Sequence, residues 1–129
     1  MQIVFFSLTG QTRFFIQKLK LEKEPIEITA DYPDIEMSEP FILLAPTYAE
    51  HIGNRTISQD ILDPIFEFME TSNNSTLCSG LIGSGDKNFG DLFGFTAKEL
   101  SKKYNIPIVH MYEKNGTIDD VDYVKSLIK

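Results

Sequence analysis

The chain has 129 residues, 42% of them hydrophobic and 12% aromatic, which is enough apolar material for one packed domain and too much for wholesale disorder. Nineteen acidic side chains against twelve basic ones leave a formal charge of −7, which argues against a nucleic-acid surface but still permits a phosphate held by backbone N–H groups. One cysteine, Cys78, excludes an internal disulfide or multi-thiolate metal centre, no apolar run is long enough for a membrane span, and residues 1–6 lack the basic start of a secretory signal, so the expectation is a soluble cytoplasmic domain over 1–129.

Ile3 to Phe6 is a continuous apolar run, the pattern of a strand covered on both faces. Gln11 to Leu21 follows as a helix with Phe15 and Leu19 on one side. Ile26 and Ile28 alternate with Glu27 and Thr29, which predicts a short, half-exposed strand. Residues 30–40 are acidic and read as a surface loop, and Phe41 to Ala45 is a second fully apolar strand. Ile61, Ile65 and Phe68 have helical spacing, with Asp63 as a candidate N-cap and Pro64 at the first helical position, so the helix is expected to start late.

Leu77 to Ile82 reads as a strand, with Cys78 as a small buried hydrophobe. Asp91 to Tyr104 reads as a helix with Phe93, Ala97, Leu100 and Tyr104 on one face. Ile106 to Tyr112 is a strand opened by Pro107, and its His110 reads as structural. Thr117 and Asp120 form a capping box before a last helix carrying Val121, Val124 and Ile128. Alternation of this kind predicts an α/β doubly wound five-stranded parallel sheet. The strands with edge character are the second and the fifth, which selects the flavodoxin-type order 2-1-3-4-5. Asn-x-Ser/Thr matches at Asn54, Asn73, Asn74 and Asn115 carry no weight without a secretion signal.

In such a sheet ligands bind beyond the carboxyl ends of the strands at the topological switch point. The loop Ser7-Leu8-Thr9-Gly10-Gln11-Thr12 brings three hydroxyls and a glycine to a helix start, which suits a phosphate but also an ordinary N-capped turn. It matches neither G-x-x-x-x-G-K-[ST] nor G-x-G-x-x-G. The loop after the third strand runs from Pro46, Thr47, Tyr48 and Ala49 through Glu50 and His51, and Tyr48 could stack on a flat ring. No second His or Cys stands near His51, so no metal site is expected. The loop after the fourth strand, Gly83-Ser84-Gly85-Asp86-Lys87-Asn88-Phe89-Gly90-Asp91, has the glycine content of a backbone that closely approaches a ligand.

The first of these loops resembles the S/T-x-T-G-x-T phosphate loop of flavodoxins, which bind FMN. Ile82 to Asp91 resembles the G-S-G-N-R-N-F-G-D run of the NrdI family, and the likeness extends through Phe93, Ala97, Tyr104 to Val109 and Asn115-Gly116-Thr117. It covers essentially the whole chain. It implies a flavodoxin-like FMN protein whose reduced flavin reacts with dioxygen and delivers superoxide to the dimanganese small subunit of a class Ib ribonucleotide reductase, generating its tyrosyl radical. Such a protein is an activator fed by a flavodoxin reductase-type donor rather than a turnover enzyme, and the flavin carries the chemistry.

Carried over by position, Ser7, Leu8, Thr9, Gly10, Gln11 and Thr12 surround the phosphate. Pro46, Thr47, Tyr48 and Ala49 lie along the ring, and Gly83, Ser84, Gly85, Asn88, Phe89 and Gly90 along its pyrimidine side. Two departures stand out. Ala49, Glu50 and His51 lengthen a loop that is short and glycine-rich in many members, and Lys87 stands where Arg is common. An electron-carrier flavodoxin, or a divergent member serving another partner, has the same framework. A signalling receiver domain does not fit, because its acidic cluster after the first strand is replaced by Ser7-Leu8-Thr9.

Overall fold

The sheet is parallel throughout, with the order β2-β1-β3-β4-β5 in the computed structural model, which describes residues 1–7, 10–29, 31, 34–46, 59–85 and 94–128. Its strands are β1 (Gln2–Phe6), β2 (Ile26–Ile28), β3 (Phe41–Pro46), β4 (Cys78–Gly85) and β5 (Ile108–Glu113). The helices are α1 (Gln11–Leu19), α2 (Gln59–Glu70), α3 (Asn74–Leu77), α4 (Phe95–Tyr104) and α5 (Ile118–Leu127). None of the helices among the described residues is long and apolar enough to cross a membrane.

The period-2 alternation of β1 and β3 divides the core into two layers. Val4, Phe6, Phe41, Leu43 and Leu81 pack against Ile65, Phe68 and Met69 of α2 and against Ala97 and Leu100 of α4. Ile3, Phe5, Ile42, Leu44 and Ile82 pack on the other face, against Phe15, Ile16 and Leu19 of α1 and Val121 and Val124 of α5. Both expected edge strands, β2 and β5, lie at the edges. The β4–β5 register skips Val109, since Leu81 pairs with Ile108 and Ile82 with His110. Val109 enters space left by Gly80, where an added Cβ would lie 2.9 Å from Val109 Cγ1. A bulge of this kind also disrupts an exposed edge.

Several boundaries differ from the sequence expectation: α1 ends at Leu19 rather than Leu21, and β5 starts at Ile108 rather than Ile106 and runs to Glu113, so Pro107 precedes the strand. Pro64 is not at the start of α2, because the helix begins at Gln59 and carries the proline in its interior. The cost is one missing backbone bond, to the carbonyl of Asp60. Burial of Ile65, Phe68 and Met69 on the sheet offsets that loss. β4 starts at Cys78 rather than Leu77, which ends α3, and it continues through Gly83, Ser84 and Gly85, which the sequence placed in a loop. α4 is described from Phe95, and Gly94 is its left-handed N-cap. Cys78 is buried, which pushes its thiol up to about 12, so it is an inert core group.

The capping box of α5 is present. Thr117 N–H donates to Asp120 Oδ2 at 2.8 Å and Asp120 N–H donates to Thr117 Oγ1 at 3.2 Å. His110 Nε2 lies 2.8 Å from Asp120 Oδ1, which ties the cap to β5. Burial alone raises the Asp120 carboxyl, but hydrogen bonds from Thr117 and His110 outweigh it and hold the group below its ordinary range. A depressed carboxyl contributes stability above its unfolded pKa of about 3.9, and that contribution is lost as pH falls through the folded value. Thr117→Ala should therefore cost about 1 kcal/mol at pH 7 in urea unfolding. Asp120→Asn should also destabilise at pH 7, by a margin that narrows toward pH 3. A margin constant with pH would contradict the assignment.

Candidate functional site

β1 and β3 are neighbours, but the chain leaves them in opposite directions across the sheet, so the switch point lies between their carboxyl ends. Register fixes what gathers there. Phe5 pairs with Leu44, Ala45 with Gly83, and Pro46 with Ser84. The ends of β1, β3 and β4 are therefore level, and they bring Ser7, Pro46, Gly83, Ser84 and Gly85 to one side of the sheet. The predicted residues Leu8, Thr9, Thr47, Tyr48, Ala49, Asn88, Phe89 and Gly90 lie outside the described residues, as do Glu50, His51, Asp86, Lys87 and Asp91.

The start of α1 is built for an acceptor from outside the helix. Gly10 is its N-cap at φ +92°, a left-handed conformation that glycine adopts without strain, and it has no side chain with which to cap. Ser7 supplies part of what is missing. Its Oγ accepts from Gly10 N–H at 3.1 Å and from Arg13 N–H at 3.4 Å. With its oxygen accepting, the hydroxyl still has its own proton to donate. The first intrahelical bond runs from Phe14 N–H to Gly10 C=O. Gln11 and Thr12 N–H thus have no acceptor within the helix.

These groups add to the positive end of the helix dipole, and no lysine is needed for them to attract an anion. Thr12 is buried and Gln11 is exposed in the first turn of the helix. Arg13 is held sideways by Glu27 of β2, with its Nη2 2.5 Å from Oε2.

At β4 the glycines serve packing as well as access. A Cβ on Gly83 would lie 3.0 Å from the Cβ of Ala97, so α4 approaches the sheet where β4 has no side chain. Ser84 is buried beside Pro46. Sequence reasoning missed the contribution of β5. Lys114 N–H donates to Gly85 C=O at 2.7 Å, and Gly85 pairs with Glu113. A cavity of about 350 Å³ opens there, lined by Met111 to Thr117 and Asp120. The signal available in the sequence was Asn115-Gly116-Thr117, a turn whose glycine sits at φ +77°. Among the described residues, no group of three or more His, Cys, Asp or Glu side chains could hold a metal ion.

Residues 3–126 match the family model described as NrdI flavodoxin-like. A protein named NrdI from Mycoplasma pneumoniae is 34% identical over 126 residues, covering 98% of this chain and 80% of that protein. Another from Streptococcus pyogenes is 33% identical over 125 residues, covering 97% and 75%. Among solved structures, a short-chain flavodoxin associated with a PDU bacterial microcompartment superposes with a TM-score of 0.62 at 18% identity, covering 97% of this chain and 90% of its own. A flavodoxin from Streptococcus pneumoniae TIGR4 gives 0.59 at 20% identity, covering 97% and 92%. At that identity the structural likeness speaks for the fold alone.

Proposed function

The chain belongs to the NrdI flavodoxin-like family, and from that membership we propose that it binds FMN at the carboxyl ends of β1, β3 and β4 and activates the small subunit of a class Ib ribonucleotide reductase in the cytoplasm. The observation that supports the cofactor most directly is the start of α1. Ser7 Oγ accepts two backbone N–H groups there, and those of Gln11 and Thr12 have no acceptor in the helix. That is the donor set a terminal phosphate dianion requires.

Ser7, Gly10, Gln11 and Thr12, with Leu8 and Thr9, would hold the phosphate. Pro46 and Ser84, paired across β3 and β4, would floor the ring site with Gly83 and Gly85. Thr47, Tyr48 and Ala49 on one side, and Asn88, Phe89 and Gly90 on the other, would flank the ring. FMN held there would supply, when reduced, one-electron reduction of dioxygen to superoxide, the oxidant for the partner's dimanganese-tyrosyl radical assembly. The protein's part is to orient the ring, exclude water and govern the approach of oxygen. A flavodoxin reductase-type protein would return the electrons. With its net charge of −7 the chain would dock its partners on a largely acidic surface.

The test mixes reduced protein, dioxygen and the manganese-loaded small subunit of a class Ib reductase, and reads the tyrosyl radical by spin resonance. The expected result is a radical that requires the reduced protein and oxygen together. Absence of the radical, with the same protein passing electrons anaerobically to a soluble acceptor, would make it an electron carrier instead.

A further inference from the structure

We infer that Met111 is a positioning residue for the cofactor site: from β5 it sets where α4 begins relative to the carboxyl end of β4. This inference rests on the flavin reading above. The chain leaves β4 at Gly85 and enters α4 at Gly94, and both points are held by the end of β5. Gly85 is held through its backbone, by pairing with Glu113 and by the bond from Lys114 N–H. Gly94 is held by a side chain. A Cβ on Gly94 would lie 2.7 Å from both Sδ and Cε of Met111, so the thioether occupies the place a side chain would take.

Gly83 and Ala97 complete the arrangement. A Cβ on Gly83 would lie 3.5 Å from Met111 Cγ, 3.6 Å from Gly94 Cα and 3.0 Å from Ala97 Cβ. Gly83 and Gly94 thus both leave room for the Met111 side chain, and Ala97 closes on Gly83 from α4. Met111 pairs with Gly83 in the β4–β5 register, so it stands directly beside the strand that carries the predicted pyrimidine-side residues. Its other side faces the cavity at the end of β5, so it is only partly buried. Truncating it leaves the first turn of α4 without a stop on the β5 side. Enlarging Gly94 pushes that turn away from the site. Leucine has nearly the volume of methionine and should hold the turn in place.

The experiment measures three quantities for wild type, Met111→Ala, Met111→Val, Met111→Leu, Gly94→Ala and the Gly94→Ala/Met111→Ala double variant. They are the FMN dissociation constant by flavin fluorescence, the midpoint potential of the bound flavin, and the melting temperature of the apoprotein. Met111→Ala should weaken FMN at least fivefold and shift the potential, Met111→Val should do the same to a smaller degree, and Met111→Leu should stay within twofold of wild type. Gly94→Ala should weaken FMN at least tenfold alone and by less than half that factor when Met111 is already alanine, because the two side chains compete for one space.

If Met111→Ala does not fold, Met111→Val serves as the truncation in its place. The inference is overturned if truncation lowers the melting temperature but leaves affinity and potential unchanged, or if the two substitutions act independently. A wild-type protein that binds no FMN would instead overturn the flavin reading.

Discussion

An Asn74→Ala chain is expected to melt about 3–15 °C below the wild type. Asn74 is fully buried, and its side chain makes three bonds to backbone groups of other segments. Met37 N–H donates to its Oδ1 at 2.8 Å, and its Nδ2 donates to Phe68 C=O at 2.8 Å and to Ile35 C=O at 2.7 Å. This one amide therefore fastens the segment before β3 to the end of α2. Without it Met37 N–H is left buried and unpaired, whereas Phe68 C=O keeps the bond from Thr71 N–H at 3.1 Å and Ile35 C=O is close enough to the surface to reach water. One buried unpaired group costs about 1–3 kcal/mol. At roughly 3–5 °C per kcal/mol for a domain of this size, the shift follows. Thermal unfolding followed by circular dichroism measures it, and a shift under 3 °C would mean that the two segments hold without the amide.

Gly116→Val should cost about 2–5 kcal/mol, combining left-handed backbone strain with overpacking. Gly116 sits at φ +77°, and a Cβ there would lie 2.7 Å from Phe15 Cδ1 and Cε1 and 3.3 Å from Tyr112 Cδ2. Those two rings are stacked at 4.1 Å and nearly parallel, so the turn between β5 and α5 lies directly on an aromatic pair that joins α1 to β5. A valine must either split the pair or lift the turn. Gly116→Asn separates the two causes, because asparagine tolerates the left-handed region but still brings a Cβ. It should cost nearly as much in urea unfolding. If Gly116→Asn behaves as wild type, the close approach to Phe15 is not what requires glycine.

The strands were legible because β1 and β3 are unbroken apolar runs, β2 carries the alternation of an edge, and a proline, Pro107, stands just before β5. Strand order followed from those two edges. Pro64 was misleading because Asp63-Pro64 has the local form of a helix start. The helix nonetheless begins at Gln59, five residues earlier than that local form indicates. Gly83-Ser84-Gly85 read as loop because glycine is unfavourable in strands, yet Gly83 is there so that Ala97 can approach.

Asn74 was visible only as part of an Asn-x-Thr match, and nothing in its neighbourhood predicts that it reaches back to Met37. At the candidate site, Ser7, Gly10 and Gln11 come together at the start of α1. Thr12 was read for its hydroxyl, and it is a buried residue in the first turn of α1. The β5–α5 turn had a signal in Asn115-Gly116-Thr117, but Met111 could not be found from the sequence, because its place beside Gly83 and Gly94 follows from the β4–β5 register.

One titration tests the phosphate site most directly. Apoprotein is reconstituted with FMN and, separately, with riboflavin, and binding is followed by the quenching of flavin fluorescence. The two ligands share the ring and differ in the phosphate, so their ratio reports the start of α1 alone. Two or more charge-assisted hydrogen bonds at about 1.5–3 kcal/mol each predict one FMN per chain, bound at least about 100-fold more tightly than riboflavin. Equal affinity for the two, or no binding of FMN at micromolar concentration, would contradict a phosphate held by Ser7, Gly10, Gln11 and Thr12.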